Sequence, residues 1–325
     1  MPSSAFSPMK IFLTRKIPDD GIKVLKNHEF QVDIFPENRQ PTKEEIIKGV
    51  RDADALISLL SDPIDREVID SARNLKVIGN YAVGYNNIDV EYARKKGIIV
   101  VNTPGVLTDA TADLTFALIL AAARRVVEGD RFMRDKKFRG WEPMLMLGKD
   151  VWGATIGIVG AGRIGQAVGR RARGFNMRIL YHSRTRKMEF ERETGARFVS
   201  LTELLRESDI ITLHVPLTQE TRHLIGEEEF KIIKEGAILI NTARGEVVKE
   251  EAMIRALKSG KLFAAGLDVF YGEPNVNTEL LSLPNVVLTP HVGSATERTR
   301  RKMAEMVCED VSRVLLGREP LHRVV

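Results

Sequence analysis

Residues 160–165 read Gly160-Ala161-Gly162-Arg163-Ile164-Gly165, a GxGxxG pattern whose value depends on its surroundings. The apolar segment Ala154–Val159 precedes it and predicts a short buried strand, whereas Ile164–Gly174 predicts the start of an amphipathic helix. A dinucleotide-binding loop needs this setting, because its glycines permit the tight turn, the approach of a pyrophosphate and close helix–strand packing. The N–H groups of the helix N-terminus then face the phosphates. We favour this interpretation over a tight turn without a ligand.

The second strand of this unit, Met177–His182, ends in Ser183-Arg184-Thr185-Arg186-Lys187. An NAD-binding unit usually carries Asp or Glu here, and that carboxylate holds the ribose hydroxyls. No acid stands at this strand end. A hydroxyl and three cations suit a 2′-phosphate, which a carboxylate would repel. The turn therefore predicts NADP(H) as the preferred cofactor; NAD(H) stays as the alternative if the turn is only a solvated basic surface.

Composition narrows the class of protein. The 325 residues suggest two domains, and 43% hydrophobic residues suffice for a substantial core. The 49 basic and 44 acidic residues give a mixed surface with a net charge of +5, which argues against nucleic acid as a partner and suits anionic substrates. Cys308 is the only cysteine, so no intramolecular disulfide forms. No apolar run has the length and position of a signal peptide or the length of a membrane-spanning helix. We therefore expect a cytoplasmic protein without a membrane partner.

The organisation of the chain predicts an α/β fold. Short apolar strands alternate with helices over residues 10–101, and repeated βα units form parallel sheets covered by helices. One of these helices, Thr42–Val50, begins with a capping-box pattern of Thr42 and Glu45. A long apolar helix is expected over Thr108–Val127, after a hinge at Thr103-Pro104-Gly105.

A last helix, Thr296–Leu316, is long enough to return to the first domain. We therefore expect two Rossmann-like, doubly wound parallel-sheet domains, one flavodoxin-like and one dinucleotide-binding, with the active site in the cleft. Residues 1–103 plus 292–325 would form the substrate-binding (catalytic) domain. Residues 104–291 would form the NAD(P)-binding Rossmann domain.

Arg244, Glu273 and His291 each follow a predicted strand of the middle domain, and ligands of open α/β sheets bind at the carboxyl ends of strands. Carbonyl reduction by hydride transfer needs a cation for the substrate carboxylate and carbonyl, and a proton donor that titrates near neutrality. A carboxylate beside the histidine fixes its tautomer and favours the imidazolium. Each residue alone has an ordinary structural explanation: a surface arginine, a glutamate that caps a loop, or a structural histidine. Together they predict an oxidoreductase site without a metal ion.

Five blocks spanning most of the chain carry a more specific signal: Asn80–Asp89, Gly160–Gly165, His214–Thr218 with Thr221, Ile240–Gly245 with Gly266–Phe270, and Thr289–Thr296. Through these blocks the chain resembles the D-2-hydroxyacid dehydrogenases, and within them the glyoxylate/hydroxypyruvate reductases of archaeal and thermophilic type. The resemblance implies NADPH-dependent reduction of glyoxylate to glycolate and of hydroxypyruvate to D-glycerate. The substrate is thus a small 2-oxo acid.

The resemblance also implies roles for individual residues. His291 would be the acid/base, Glu273 its partner, and Arg244 the cation that binds the substrate carboxylate and carbonyl. Leu60 and the N–H groups of Val83 and Gly84 would contact the substrate. The glycine loop, the basic turn and the resemblance together give these cofactor-binding residues: Thr111, Gly160, Gly162, Arg163, Ile164, Gly165, Ser183, Arg184, Thr185, His214, Val215, Pro216, Thr221, Thr242, Ala243, Asp268 and Gly293.

Asp268 would bind the nicotinamide amide, and Thr111 would lie near the ring. An arm-like segment, Phe138–Leu147 with Trp141, would help to form a homodimer. Two other functions stay open. One is another 2-hydroxyacid specificity, such as D-3-phosphoglycerate dehydrogenase. The other is a dinucleotide-sensing protein like the family's corepressors, which the missing partner-binding tail and the basic turn disfavour.

Overall fold

The computed structural model of the chain describes residues 8–325. These residues form two compact units, the first reaching to Leu107 and including Ala295–Val325, the second comprising Thr108–Ser294. Both boundaries lie within four residues of the predicted ones. The assignment of substrate binding to the first unit and cofactor binding to the second stays a prediction.

The first unit is built on a parallel sheet of five short strands. They are β1 (Lys10–Leu13), β2 (Gln31–Ile34), β3 (Ala55–Ser58), β4 (Val77–Asn80) and β5 (Ile99–Val101). Their order across the sheet is β2-β1-β3-β4-β5. Every residue of β3 and β4 is buried, as expected for central strands that helices cover on both faces.

Four helices connect these strands: α1 (Asp19–Lys26), α2 (Lys43–Val50), α3 (Arg66–Ser71) and α4 (Val90–Lys95). The capping box of α2 forms as predicted, since Thr42 Oγ1 accepts from the Glu45 N–H at 3.3 Å and Glu45 Oε2 accepts from the Thr42 N–H at 2.7 Å. Reciprocal capping satisfies two N–H groups that the first helical turn leaves without partners.

The second unit contains a parallel sheet of seven strands. They are β6 (Thr155–Val159), β7 (Arg178–His182), β8 (Arg197–Phe198), β9 (Ile210–Leu213), β10 (Ala237–Asn241), β11 (Leu262–Leu267) and β12 (Val286–Leu288). Their order is β12-β11-β10-β9-β6-β7-β8. The strand order reverses at β6, between β7 and β9, and ligands of such sheets bind at this switch point. The prediction of two parallel-sheet α/β domains is confirmed.

Eight α-helices of the described residues belong to this unit: α5 (Thr108–Ala123), α6 (Val126–Arg134), α7 (Arg163–Gly174), α8 (Met188–Thr194), α9 (Leu201–Glu207), α10 (Glu227–Ile232), α11 (Glu250–Lys258) and α12 (Thr278–Ser282). The predicted single helix over Thr108–Val127 is wrong, because Arg125 has a left-handed backbone (φ 53°) that separates α5 from α6. The Lys149 N–H donates to Ala123 O at 2.8 Å and so caps the end of α5.

The last helix, α13 (Glu297–Leu315), packs against α1 and β4 of the first unit. It begins after Thr296, whose Oγ1 accepts from the Thr299 N–H at 3.2 Å, within one residue of the predicted start. Asp310 of this helix is buried and accepts from the Leu321 and His322 N–H groups. These bonds hold the segment after the helix, residues 321–325, beside β5. Among residues 8–325, no helix has both the length and the apolar character needed to cross a bilayer.

Candidate active site

The three glycines of the β6–α7 loop serve different purposes. Gly160 has φ 99°, and a Cβ there would lie 2.8 Å from the carbonyl of His214. A Cβ at Gly165 would lie 2.1 Å from Gly160 O, so this glycine lets the helix approach the loop. Gly162 has no atom within 4 Å of its Cβ position. Its bare backbone therefore faces open space, where a pyrophosphate would approach.

The N-terminus of α7 also suits a phosphate. Gly162 is the N-cap and provides no side-chain cap. Among the described residues, the N–H groups of Gly162, Arg163 and Ile164 donate to no acceptor. Uncapped N–H groups and the positive end of a helix dipole form an anion site. The loop thus fits the pyrophosphate of a nicotinamide dinucleotide.

The predicted adenosine side follows β9. Burial lowers the pKa of His214 to about 3, so its ring is neutral, and His214 Nε2 lies 2.8 Å from Thr212 Oγ1. Thr221 closes the next loop by donating to Pro216 O at 2.5 Å. A Cβ on Gly160 would touch Val215 at 2.9 Å, so this segment lies beside the glycine loop. The fold therefore brings His214 and Val215 to the glycine loop.

The basic turn, Ser183–Lys187, is ordered by its own side chains. Ser183 Oγ donates to Thr185 O at 2.7 Å, and Lys187 Nζ donates to Thr185 Oγ1 at 2.9 Å. Arg186 forms an ion pair with Glu191 of α8. Arg184 is exposed and has no hydrogen bond or ion pair with any residue from 8 to 325. The three cations that the sequence presents as equivalent therefore differ in their surroundings.

His291 and Glu273 form the predicted pair. His291 Nδ1 lies 2.8 Å from Glu273 Oε2, and the two side chains are 24% and 29% exposed. Burial alone would raise the pKa of Glu273, but the hydrogen bond and charge of His291, with the Phe270 N–H and Arg244, hold it below its usual value. The carboxylate is ionised at neutral pH and orients the ring. His291 Nε2 is thus the nitrogen that can face a substrate.

The loop that carries His291 is held by Asp268. Asp268 Oδ1 accepts from Thr289 Oγ1 at 2.6 Å and from the Val292 N–H at 2.8 Å, while Oδ2 accepts from the Gly293 N–H at 2.8 Å. These bonds enclose His291, whose backbone is left-handed at φ 52°. Burial raises the pKa of Asp268 despite them. The role of Asp268 as a nicotinamide ligand stays a prediction, and its support of the loop was not foreseen.

Arg244 follows β10 and is positioned by Asn241, the polar residue that ends this strand. Asn241 Nδ2 donates to Arg244 O at 2.8 Å, and Asn241 Oδ1 accepts from the Ala243 N–H at 3.0 Å. A buried amide at the end of an apolar strand was its signal in the sequence. Burial lowers the pKa of Arg244, against the raising charges of Glu273 and Glu246. A guanidinium remains charged in proteins, so Arg244 is a desolvated cation beside the His291–Glu273 pair.

Gly245 allows Arg244 and Glu273 to come together. A Cβ on Gly245 would lie 2.1 Å from the carbonyl carbon of Phe270, which is backbone and cannot rotate away. We expect Gly245→Ala to destabilise the protein by about 1–3 kcal/mol, as overpacking does, and to lower activity by separating the two loops. Urea unfolding measures the first effect, with Gly174→Ala, where a Cβ meets open space, as the control. Equal stability of the two variants would contradict the close approach.

Three further predicted cofactor residues meet at the same edge of the sheet. A Cβ on Gly293 would lie 3.3 Å from Thr111 Oγ1 and from Asp268 Oδ2. Thr242 Oγ1 lies 3.1 Å from Thr115 Oγ1, which donates to Thr111 O at 2.8 Å. The start of α5 and the ends of β10, β11 and β12 are thereby connected. Sequence reasoning missed Thr115, which is buried inside an apolar helix.

The predicted substrate residues of the first unit follow β3 and β4, which are neighbours in its sheet. Leu60 is two residues beyond β3. The Val83 and Gly84 carbonyls accept from Asn102 Nδ2 at 2.7 Å and from Asn80 Nδ2 at 2.8 Å, which fixes this loop. Within residues 8–325 their N–H groups donate to no acceptor, as an anion site requires. The described residues contain no group of three or more His, Cys, Asp or Glu side chains suited to a metal ion.

Comparisons with known proteins identify the family of the chain. Residues 116–293 match the model of the D-isomer specific 2-hydroxyacid dehydrogenase, NAD binding domain. A glyoxylate reductase of Pyrococcus horikoshii is 55% identical over 315 residues, which cover 96% of this chain and 94% of that protein.

Two solved structures extend the similarity to the whole fold. A protein from Thermus thermophilus has a TM-score of 0.92 and 49% identity, covering 98% of this chain and all of that one. An NADPH-dependent glyoxylate/hydroxypyruvate reductase from Sinorhizobium meliloti, solved with NADP and malonate, has a TM-score of 0.86 and 30% identity, covering 98% and 97%. The chain therefore belongs to the D-isomer specific 2-hydroxyacid dehydrogenase family and is an NAD(P)-dependent dehydrogenase with a small-molecule substrate.

Proposed function

We propose that the protein reduces glyoxylate to glycolate and hydroxypyruvate to D-glycerate with NADPH, and that His291 is the general acid. The observation that carries this proposal is the 2.8 Å contact between His291 Nδ1 and Glu273 Oε2, with desolvated Arg244 at the same edge of the sheet. The names of the relatives in Pyrococcus horikoshii and Sinorhizobium meliloti support the choice of substrates.

The proposed mechanism assigns one task to each side chain. Arg244 binds the substrate carboxylate and polarises the carbonyl, and its burial strengthens both interactions. Following the family resemblance, the N–H groups of Val83 and Gly84 also bind that carboxylate. The reduced nicotinamide, when bound, supplies the hydride. His291 Nε2 gives a proton to the oxygen of the carbonyl group, and ionised Glu273 stabilises the imidazolium before that transfer.

The preference for NADPH rests on the basic turn. Strand β7 ends at His182 without an acid, so the usual ligand of the NAD ribose is missing. Exposed Arg184 with Ser183 and Thr185 is suited to a 2′-phosphate by charge and by hydrogen-bonding capacity. The NADP bound in the Sinorhizobium meliloti homologue supports this assignment.

We also propose that the protein is a homodimer formed through the arm Phe138–Leu147. Within the arm, Trp141 is 83% exposed, Met144 76% and Leu147 53%. Large apolar side chains that lie together on a surface are typical of contact sites. A second copy of the chain is the partner that the family resemblance supports. We also propose a cytoplasmic location, because a chain with a single cysteine forms no intramolecular disulfide and needs no oxidising compartment.

The deciding measurement is turnover by the purified protein with glyoxylate and with hydroxypyruvate, each with NADPH and with NADH. We expect both substrates to be reduced, with kcat/KM at least about tenfold higher for NADPH, the effect of one charge-assisted bond. A higher kcat/KM with NADH would reject the proposed cofactor preference but not the proposed reduction by hydride transfer. If the protein reduced neither substrate but oxidised D-3-phosphoglycerate, the proposed substrates would be wrong and D-3-phosphoglycerate would take their place.

A further inference from the structure

The Arg186 guanidinium pairs with Glu191 of α8 through its Nε and Nη2 groups. Arg186 Nε donates to Glu191 Oε1 at 2.8 Å, and Nη2 donates to Oε2 at 2.8 Å, which makes a bidentate pair. Hydrogen bonds from Arg186 and then from Tyr181 lower the pKa of Glu191 to about 2. Glu191 is therefore a carboxylate at every pH at which the enzyme would be assayed, and Arg186 cancels its charge.

Glu191 cannot readily turn away, because it is anchored to the core of the unit. Tyr181 of β7 is fully buried, donates to Glu191 Oε1 at 2.7 Å and accepts from the Lys187 N–H at 2.7 Å. The Tyr181 ring packs edge-on against Phe190, with 5.4 Å between centroids. The Glu191 side chain is only 15% exposed. The carboxylate is thus fixed beside the basic turn whatever its partner does.

We propose that Arg186 is not a ligand of the 2′-phosphate but a positioning residue that neutralises Glu191, so that the Arg186–Glu191 pair determines selectivity for NADP(H) together with Arg184. This inference rests on the proposed use of NADPH. An uncompensated carboxylate at this place would repel a 2′-phosphate and could accept hydrogen bonds from ribose hydroxyls. The pair therefore removes from the turn a negative charge that would favour NADH.

A double-mutant cycle tests the proposal. Arg186→Gln, Glu191→Gln and the double variant are titrated with NADPH and with NADH, and the fluorescence of the reduced nicotinamide gives each Kd without any substrate. We expect Arg186→Gln to weaken NADPH binding about tenfold and NADH binding by less than about threefold, because an unpaired charge acts mainly on the phosphate. The double variant should return to within about threefold of the wild type for NADPH.

A direct role of Arg186 gives the opposite pattern. Glu191→Gln would then release the guanidinium and tighten NADPH, and Arg186→Gln would weaken NADPH binding in both backgrounds, most of all in Glu191→Gln. Arg186→Lys, which keeps a charge near Glu191, should retain the preference under our proposal. Arg184→Gln is the positive control, with an expected loss of about 10- to 100-fold for NADPH. Arg197→Gln, which breaks an exposed pair with Glu203 in the same unit, is the neutral control.

The outcomes separate this inference from the proposed function. A loss of NADPH affinity on Arg186→Gln that is as large or larger in the Glu191→Gln background overturns the inference alone. Equal wild-type affinity for NADPH and NADH overturns the inference and the cofactor preference, but not the His291 chemistry. If the two substitutions are coupled in their effect on the Kd of NADPH but the protein does not reduce glyoxylate, the inference stands and only the proposed substrate is rejected. Thermal unfolding of each variant shows whether a loss of binding reflects a loss of folded protein.

Discussion

Replacement of His291 by Ala is expected to lower kcat for glyoxylate reduction about 10²- to 10⁴-fold, the usual contribution of a positioned general acid. The Kd of NADPH should change by less than about threefold, because in the proposed mechanism the ring acts on the substrate oxygen and not on the cofactor. Steady-state kinetics and nicotinamide fluorescence measure the two quantities. Both follow from the placement of His291 Nε2, the ring nitrogen opposite the Glu273 contact.

Glu273→Gln is the matched variant for this experiment. The introduced amide can still accept a hydrogen bond from His291 Nδ1 but carries no charge, so the imidazolium loses its stabilisation and activity falls by less than in His291→Ala. The role of His291 would be refuted if His291→Ala turned over at the wild-type rate. A loss confined to NADPH binding would also refute it.

Replacement of Arg244 by Ala should have the second large effect. We expect kcat to fall about 10²- to 10³-fold, as when a donor to a developing negative charge is removed, and KM for glyoxylate to rise as well. The reason is that Arg244 is a desolvated cation, fixed through Asn241 and Gly245 beside the His291–Glu273 pair. Initial rates over a range of glyoxylate concentrations separate the two terms.

Arg244→Lys is the informative companion. Lysine keeps the charge but not the planar pair of donors, so it should recover part of the rate and little of the substrate affinity. A higher KM at unchanged kcat in Arg244→Ala would show that Arg244 only binds the substrate. In that case the polarisation of the carbonyl would have to be assigned to another group.

Local patterns explain which features the sequence predicted. Close backbone approaches require glycine at positions 160 and 165, and Gly162 leaves its backbone open to a ligand, so the three glycines are visible as a motif. Strands buried on both faces appear as short apolar runs, and polar residues after them mark the ligand edge of a parallel sheet. Arg244 and His291 could be found by that rule alone. The structure brings them together with Glu273 in one unit.

Features that depend on tertiary contacts were not visible. The sequence presents Arg184 and Arg186 as equivalent cations, because nothing local shows that Glu191 turns back to Arg186 from the next helix. The break between α5 and α6 falls at Arg124-Arg125, and it is Arg125, a residue with no strong turn preference, that adopts the left-handed conformation. The support of the His291 loop by Asp268 likewise depends on a contact across 21 to 25 positions of the chain.

The left-handed backbone of His291 lowers stability at the same position where the proposed proton transfer requires a histidine. A residue with a Cβ in this conformation costs about 1–2 kcal/mol relative to glycine, and the bonds from the Asp268 carboxylate maintain it. Selection for heat resistance alone would therefore favour glycine or asparagine at position 291 and yield a more stable protein without the proposed proton donor. An engineering programme for this enzyme should hold that position constant and seek stabilising changes elsewhere, since a screen for stability alone would select against His291.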